Sequence, residues 1–390
     1  MARIFNYFHP LVWIILSGTI FVRTASFMAI PFLALYLHNE LHASPLLIGV
    51  TIGIAPLFST FGGLIGGYLT DRFGRKAVII ITVFIWSLTF GGFALAPSAV
   101  YFVVLNAVNG LCRSFFEPGT QALMIDFTED AKKRRLFSVR YTAINIAAVM
   151  GPLLGVWVAS LSSPATPFMI TGIMYALYGI FLLVVLNRYE MKQKRLSSKQ
   201  QIRTVLQAVI HDQKLLLFIA GGILITVGYS QFNSTLPQFI NMNVEDGVKL
   251  FSYVIVANSI TVLAFQLPLT VLSEKISIYS SLKIGVVIFA IGLFLFGVSD
   301  SSWMFIASMI VFSVGEIFCF PMMNAVIEEI APEDRKGTYL GASQFKNIGG
   351  FIGPIIGGWL LTVYIDYMFA IISLIMLCSI FIYNRAQRLT

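Results

Sequence analysis

Charge is what this sequence has least of. Only 11% of its 390 residues are Asp, Glu, Lys or Arg, where a soluble domain carries roughly a quarter. These charges are clustered, so long stretches carry none, and a soluble globular fold is excluded. Histidine occurs four times, as His9, His38, His42 and His211, scattered near the ends of apolar segments. Such histidines read as interfacial or solvated groups rather than metal ligands. Cysteine occurs three times, at Cys112, Cys319 and Cys378, each inside an apolar segment. That odd number supports neither a disulfide framework nor a metal cluster. No glycine-rich P-loop is present, which argues against direct coupling to ATP. A membrane enzyme would need a nucleophile with a base, or a metal, yet no histidine lies deep in a span and no paired aspartates occur. A sensor would carry an added soluble domain, for which the chain leaves no room. No cofactor is expected.

What fills the chain is apolar, at 57% of residues. A helix needs about 20 apolar residues to cross a bilayer. Twelve segments meet that need, at 11–37, 45–69, 77–97, 99–125, 137–161, 167–187, 215–240, 250–272, 280–298, 303–327, 338–363 and 366–384. Lipid cannot satisfy open backbone groups, and nothing here alternates as barrel strands do, so the spans are helices. The first is too long for the apolar core of a signal peptide and is broken by Arg23, so it is expected to be retained.

Between the second and third spans lies Gly67-Tyr68-Leu69-Thr70-Asp71-Arg72-Phe73-Gly74-Arg75-Lys76. A tight turn between two membrane helices needs glycine, because the backbones cross closely and φ can be positive. Its charges cannot enter hydrocarbon, so they mark the membrane edge, and its Lys and Arg place that edge in the cytoplasm. With the N-terminus inside, Arg72, Arg75, Lys76, Lys132, Lys133, Arg134, Arg135, Arg335 and Lys336 all fall in cytoplasmic turns, and the opposite side keeps only Lys249. The net charge of +8 therefore reads as a rim facing anionic lipid, not as a nucleic-acid surface. The ten-residue string resembles the G-x-L-a-D-r-x-G-r-k loop of the major facilitator superfamily, with every defining position met. The resemblance implies an all-α polytopic membrane protein of twelve transmembrane helices in two six-helix repeats. It also implies a gating role for Asp71, whose counterpart in the family contacts the end of the eleventh helix. Arg72, Gly74 and Arg75 belong to the same gate. Asp126, at the cytoplasmic end of the fourth span, is placed in the same charge cluster. The second-half counterpart, Ser273-Glu274-Lys275-Ile276-Ser277, is degenerate.

The chain repeats itself. Residues 110–155 align with 313–358, matching Arg113 with Glu316, Pro118 with Pro321, Asp126 with Glu329 and Asn145 with Asn347. The expected halves are 1–187 and 215–390, joined by a basic linker, 188–214, in which Val205, Leu206, Val209 and Ile210 can form a face lying on the membrane. Same-direction repeats place a substrate site at their interface near the midplane. In both copies Gly-Pro-x-x-Gly recurs, as Gly151-Pro152 with Gly155 and as Gly353-Pro354 with Gly357. The prolines each remove one backbone hydrogen bond and the glycines permit close packing. The second copy is preceded by Gly349 and followed by Gly358; the first has Ala147 and Val156 at those places. This pattern on the fifth helix resembles the antiporter signature of the superfamily. A packing kink without bearing on transport direction is the alternative.

Ionisable groups deep in a span are costly and usually face a cavity or a partner. By resemblance, the first, fourth, seventh and tenth helices line the central cavity. They carry Arg23, then Arg113 and Glu117 one turn apart, then Tyr229, Gln231 and Asn233, then Glu316. Asn109 joins this expected cavity lining. It lies in Asn106-Ala107-Val108-Asn109-Gly110, where drug antiporters often have R-x-x-q-G, so the arginine of that motif is absent and Arg113 is the residue to replace it. A carboxyl removed from water favours its neutral form, which makes Glu316 the leading candidate for proton coupling and Glu117 a second. Gly315-Glu316-Ile317 also resembles a carboxylate motif on the tenth helix of multidrug antiporters. The alternative for Glu316 is a permanent salt bridge with Arg23 or Arg113. For Glu117 it is an internal pair with Arg113. Arg140-Tyr141-x-x-x-Asn145 resembles the fifth helix of the same transporters, which makes Arg140 a gate or coupling residue, or else a snorkelling arginine.

The expected function is secondary active transport, the proton-coupled export of amphipathic drugs or metabolites by alternating access. The rivals are a proton-linked carrier of an anionic or zwitterionic metabolite, favoured by the excess of arginine over acid inside the spans, and a lipid flippase. The expected partners are a small-molecule substrate, protons and the bilayer, with a monomer as the working unit. The expected setting is the cell (inner) membrane, with both termini cytoplasmic.

Overall fold

The computed structural model describes residues 7–129, 132–161, 163–189, 212–273, 275–331, 339 and 342–389. Within these, the side chains of 63–68, 70–72, 122, 133–135, 137–138, 141, 160–161, 270, 324 and 328 lie outside the description. Every element among the described residues is helical: α1 Pro10–Asn39, α2 Pro45–Phe73, α3 Arg75–Leu95, α4 Ala99–Asp126, α5 Lys133–Leu161, α6 Thr166–Leu186, α7 Gln213–Asn243, α8 Gly247–Ser273, α9 Ile278–Gly297, α10 Ser302–Ile330, α11 Gly349–Val363 and α12 Met368–Gln387. Each lies on one of the expected spans. Eleven are long and apolar enough to cross a membrane. The other, α11, has 15 residues and follows a 3-10 turn over Gln344–Ile348. The expected amphipathic face of the linker, at Val205 to Ile210, lies outside the described residues.

Local chemistry starts and breaks these helices. Pro10 begins α1, and the His9 imidazole accepts from the Leu11 amide at 3.2 Å. Asp212 caps α7 by accepting from the amides of Lys214 (2.9 Å) and Leu215 (3.1 Å), satisfying donors that the first helical turn leaves open. Gly74, at φ 82°, turns the chain between α2 and α3. Only glycine takes that conformation without strain. Two long helices are interrupted rather than straight: α1 passes through a 3-10 turn at Ile30–Phe32, and α7 reforms at Thr235 after a break.

Buried apolar side chains form two clusters. One is drawn from residues 8–186; the other runs from 215 to 383, with Leu35 of α1 as a visitor. Between them, α2 lies along α11 and α5 along α8. Glycine sets the first of these approaches. A Cβ at Gly53 would come within 3.2 Å of the Phe351 Cα, and one at Gly350 within 3.0 Å of the Pro56 ring. At the end of the bundle away from the two termini, Asn241 of α7 donates to Asn39 of α1 at 3.0 Å, and the Phe32 and Phe251 rings meet at 6.3 Å.

Candidate functional site

The Gly-Pro-x-x-Gly repeats set how α5 lies on α1 and α11 on α7. A Cβ at Gly151 would sit 2.9 Å from the Thr24 carbonyl, so α5 lies against α1. A Cβ at Gly353 would sit 2.8 Å from the Val227 carbonyl, so α11 lies against α7 in the same way. Gln231 reinforces that second seam. It is fully buried, and its amide nitrogen donates to Val227 O (2.8 Å) and Gly353 O (3.0 Å) while its oxygen accepts from Thr235 (2.8 Å). Both repeats, with Pro152 and Pro354 inside their helices, thus pack α5 onto α1 and α11 onto α7.

In the first half, α1, α4 and α5 bring four charged groups together. Arg23 of α1 donates to Glu117 Oε1. Arg113, one turn earlier on α4, donates through Nε to the same oxygen at 3.0 Å. The side chain of Arg113 is 58% exposed, against 15% for Arg23 and 23% for Glu117. Its two terminal nitrogens take no hydrogen bond among the described residues. Arg140 of α5 donates to Gln121 Oε1 at 3.1 Å from both terminal nitrogens, in the amide orientation that satisfies both groups. Its Nε is buried and unpartnered. Arg23, Glu117 and Arg140 line a cavity of about 20 Å³ with Ser26, Thr120 and Tyr175, room for roughly one water. Tyr175 closes it, stacked on Trp86 with ring centroids 4.9 Å apart.

Trp86 in turn donates to Asn109 (2.6 Å), which donates to Asn106 (2.8 Å), which donates to the Thr51 carbonyl (2.6 Å). Asn109 is buried with both ends of its amide engaged, behind the cavity wall rather than on it. It stitches α4 to α2 and α3. The same holds for Gln231 at the α7–α11 seam. Asn233, beside the break in α7, is half-buried.

The second half holds a different arrangement. Asn258 of α8 donates to Glu316 Oε2 at 2.8 Å and to Ser313 Oγ at 2.9 Å. Tyr229 of α7 is also hydrogen-bonded to Glu316. Its ring packs edge-on against Phe320 at 4.9 Å and parallel to Phe312 at 6.3 Å, which fixes the hydroxyl. No cation pairs with Glu316 among the described residues. The expected alternative, a salt bridge from Arg23 or Arg113, is not formed, because both arginines go to Glu117. Arg113 of α4 lies within electrostatic reach of Tyr229 of α7.

Of the expected gate, Arg75 is paired with Asp126, tying the start of α3 to the end of α4. The side chains of Asp71 and Arg72 lie outside the described residues. No sequence motif singles out Asn258, Gln121 or Trp86, although in lipid a polar side chain of any kind in mid-span is a signal.

The description of the Major Facilitator Superfamily matches residues 15–345 and 246–388. A relative in Bacillus subtilis (strain 168), the uncharacterized MFS-type transporter YqjV, is 40% identical, with 90% of this chain and 86% of that protein covered. The Na(+), Li(+), K(+)/H(+) antiporter of Planococcus maritimus is 26% identical, with 87% of each covered. The multidrug resistance protein MdtH of Blochmanniella floridana is 23% identical, over 89% of this chain and 86% of that one. The crystal structure of the nucleoside transporter NupG superposes with a TM-score of 0.80 at 16% identity, covering 96% of this chain and 98% of that one. Two apolar clusters joined through close helix seams thus accompany a family match over nearly the whole chain. The protein is a multi-pass membrane transporter, not an enzyme, and belongs to the Major Facilitator Superfamily.

Proposed function

We propose that this secondary transporter is proton-coupled, that it moves amphipathic small molecules by alternating access, and that Glu316 is the group that takes up and releases the proton. The observation that carries this is the contrast between the two interior acids. Glu117 holds two guanidinium groups on one oxygen, which makes it their shared counter-ion. Glu316 has only neutral partners, Asn258 and Tyr229. Those partners can reverse: an amide turns its oxygen toward a protonated acid, and a hydroxyl accepts as readily as it donates. Either charge state of Glu316 is therefore accommodated.

Export in exchange for protons is the direction favoured by the relatives named as a cation/proton antiporter and as multidrug resistance proteins. With the basic turns in the cytoplasm, the contacts Asn39–Asn241 and Phe32–Phe251 close the outer end, and both termini are cytoplasmic. The working unit is a monomer in the cell membrane, its halves 1–187 and 215–390 rocking about the seams α2–α11 and α5–α8. A second reading, a proton-linked carrier of an anionic or zwitterionic metabolite, is favoured by the excess of arginine around Glu117.

The test is proton flux in liposomes under an imposed pH gradient, with a panel of lipophilic cations, anions and neutral compounds. A compound that evokes flux with the parent protein and none with Glu316→Gln supports the reading. Equal, gradient-independent uptake by both proteins removes Glu316 from coupling.

A further inference from the structure

We infer that Arg113 is the docking point for an anionic oxygen group, a carboxylate or phosphate, on the transported molecule. The inference deepens the transporter reading and rests on it for the word "transported"; it does not depend on protons or on direction.

Three features of the first-half cluster point to an anion. The first is charge: Arg23, Arg113 and Arg140 surround one carboxylate, Glu117, so two positive charges are in excess among the described residues. Uncompensated charge inside a membrane protein marks a ligand pathway or a missing partner. The second is geometry. Glu117 engages Arg113 only through Nε, which orients the guanidinium and leaves its two terminal nitrogens unbonded among the described residues. Paired N–H groups on one planar edge match a carboxylate or phosphate bidentately. The third is access: Arg113 is the accessible member of the cluster, at 58%, and it lies within electrostatic reach of Tyr229 on α7. Arg23 is held back by Glu117 and serves to fix that carboxylate, while Arg140, with its buried unpartnered Nε, adds field from behind the small cavity. A cationic ligand finds no such place here, because Glu117 already accepts from two arginines.

The test uses four compounds sharing one ring system: 2-naphthoate, 2-naphthyl phosphate, 2-naphthamide and 2-naphthylmethylamine. Binding to the purified full-length protein in detergent is read as a shift in thermal unfolding midpoint, without any pH gradient. The parent protein is expected to be stabilised by one or both anions and by neither the amide nor the amine. Arg113→Gln is expected to lose the shift. Arg113→Lys is expected to keep a weaker one, roughly tenfold lower in affinity for the loss of a bidentate contact. Because binding is read without a pH gradient, the result is separate from the proton reading: anion binding can survive the failure of proton coupling, and the reverse. A preference for naphthoate or for naphthyl phosphate assigns the group. No shift with either anion at millimolar concentration, an equal shift in Arg113→Gln, or stabilisation by the amine or amide alone overturns the assignment.

Discussion

Arg23 and Arg113 donate to one and the same oxygen of Glu117, although they stand on different helices and differ almost fourfold in side-chain exposure, 15% against 58%. The pairing ties α1 to α4 and takes both arginines away from Glu316. The two interior acids, equivalent in rarity along the sequence, thereby have different surroundings.

That difference predicts opposite outcomes for the same isosteric change. Glu117→Gln leaves two guanidinium groups beside a neutral amide. Removing one partner of a largely buried ion pair costs about 3 kcal/mol or more, so the unfolding midpoint in detergent is expected to fall by several degrees. Glu316→Gln replaces one neutral-partnered group with another, and Asn258 still finds an acceptor. Its midpoint is expected to stay within the range of a single hydrogen bond, about 1 kcal/mol, while coupled proton flux is lost. Thermal unfolding of the two variants side by side checks this; a larger loss of stability in Glu316→Gln would reverse the assignment.

Tyr229 is expected to matter to coupling more than to folding. Its ring is locked by Phe312 and Phe320, and Phe at this position keeps that packing. Tyr229→Phe removes one hydrogen bond to Glu316, a loss of about 1 kcal/mol. Substrate-evoked proton flux in liposomes is expected to fall roughly tenfold, with the unfolding midpoint almost unchanged. A midpoint that dropped as far as in Glu117→Gln would make Tyr229 a packing residue only.

The helices could be read from the sequence because lipid imposes a length and a polarity that soluble folds do not. The turn at Gly74 could be read because a glycine bounded by charge has few other uses between two spans. The identities of Arg23, Arg113, Glu117 and Glu316 as interior charges were legible for the same reason. Their pairing was legible only in part. Arg113 and Glu117 share a helix and a turn, so their contact follows from helical spacing. Whether Arg23 turns to Glu117 or to Glu316 depends on how α1 rotates against α4, which is set by packing such as Gly151 against Thr24 and Phe27. Asn109 and Gln231 show the converse. Both are polar residues on lining helices, yet each is consumed by a buried seam, Asn109 by Trp86 and Asn106, Gln231 by the Gly353 carbonyl.

The contact between Asn39 and Asn241, at 3.0 Å, joins the two halves at the end away from the termini. If the halves rock, this contact must break once per cycle. Cysteines at both positions, linked by a short cleavable reagent, are expected to stop transport and to restore it on cleavage. Single cysteines treated alike are expected to transport normally. Undiminished flux in the linked protein would place the moving seam elsewhere.

Gly49 tests the seam itself. Its Cα lies against the Pro354 backbone of α11, and a methyl there would come within 3.2 Å of the Ile355 Cα with carbonyl atoms closer still. Backbone atoms cannot step aside as a side chain would, so Gly49→Ala must push α2 from α11. Overpacking of this kind costs typically 1–3 kcal/mol. That cost falls on the state in which the two helices are in contact, and not on one in which they part. Since about 1.4 kcal/mol is a tenfold change in a two-state population, the variant is expected to spend far more of its time open at this seam. Spin labels placed on the outer ends of α2 and α11 should then report a longer distance, and the linked-cysteine yield at Asn39 and Asn241 should fall with it. An unchanged distance distribution would mean that α11 shifts along its axis to absorb the methyl, and that the α2–α11 contact is not what holds this end closed.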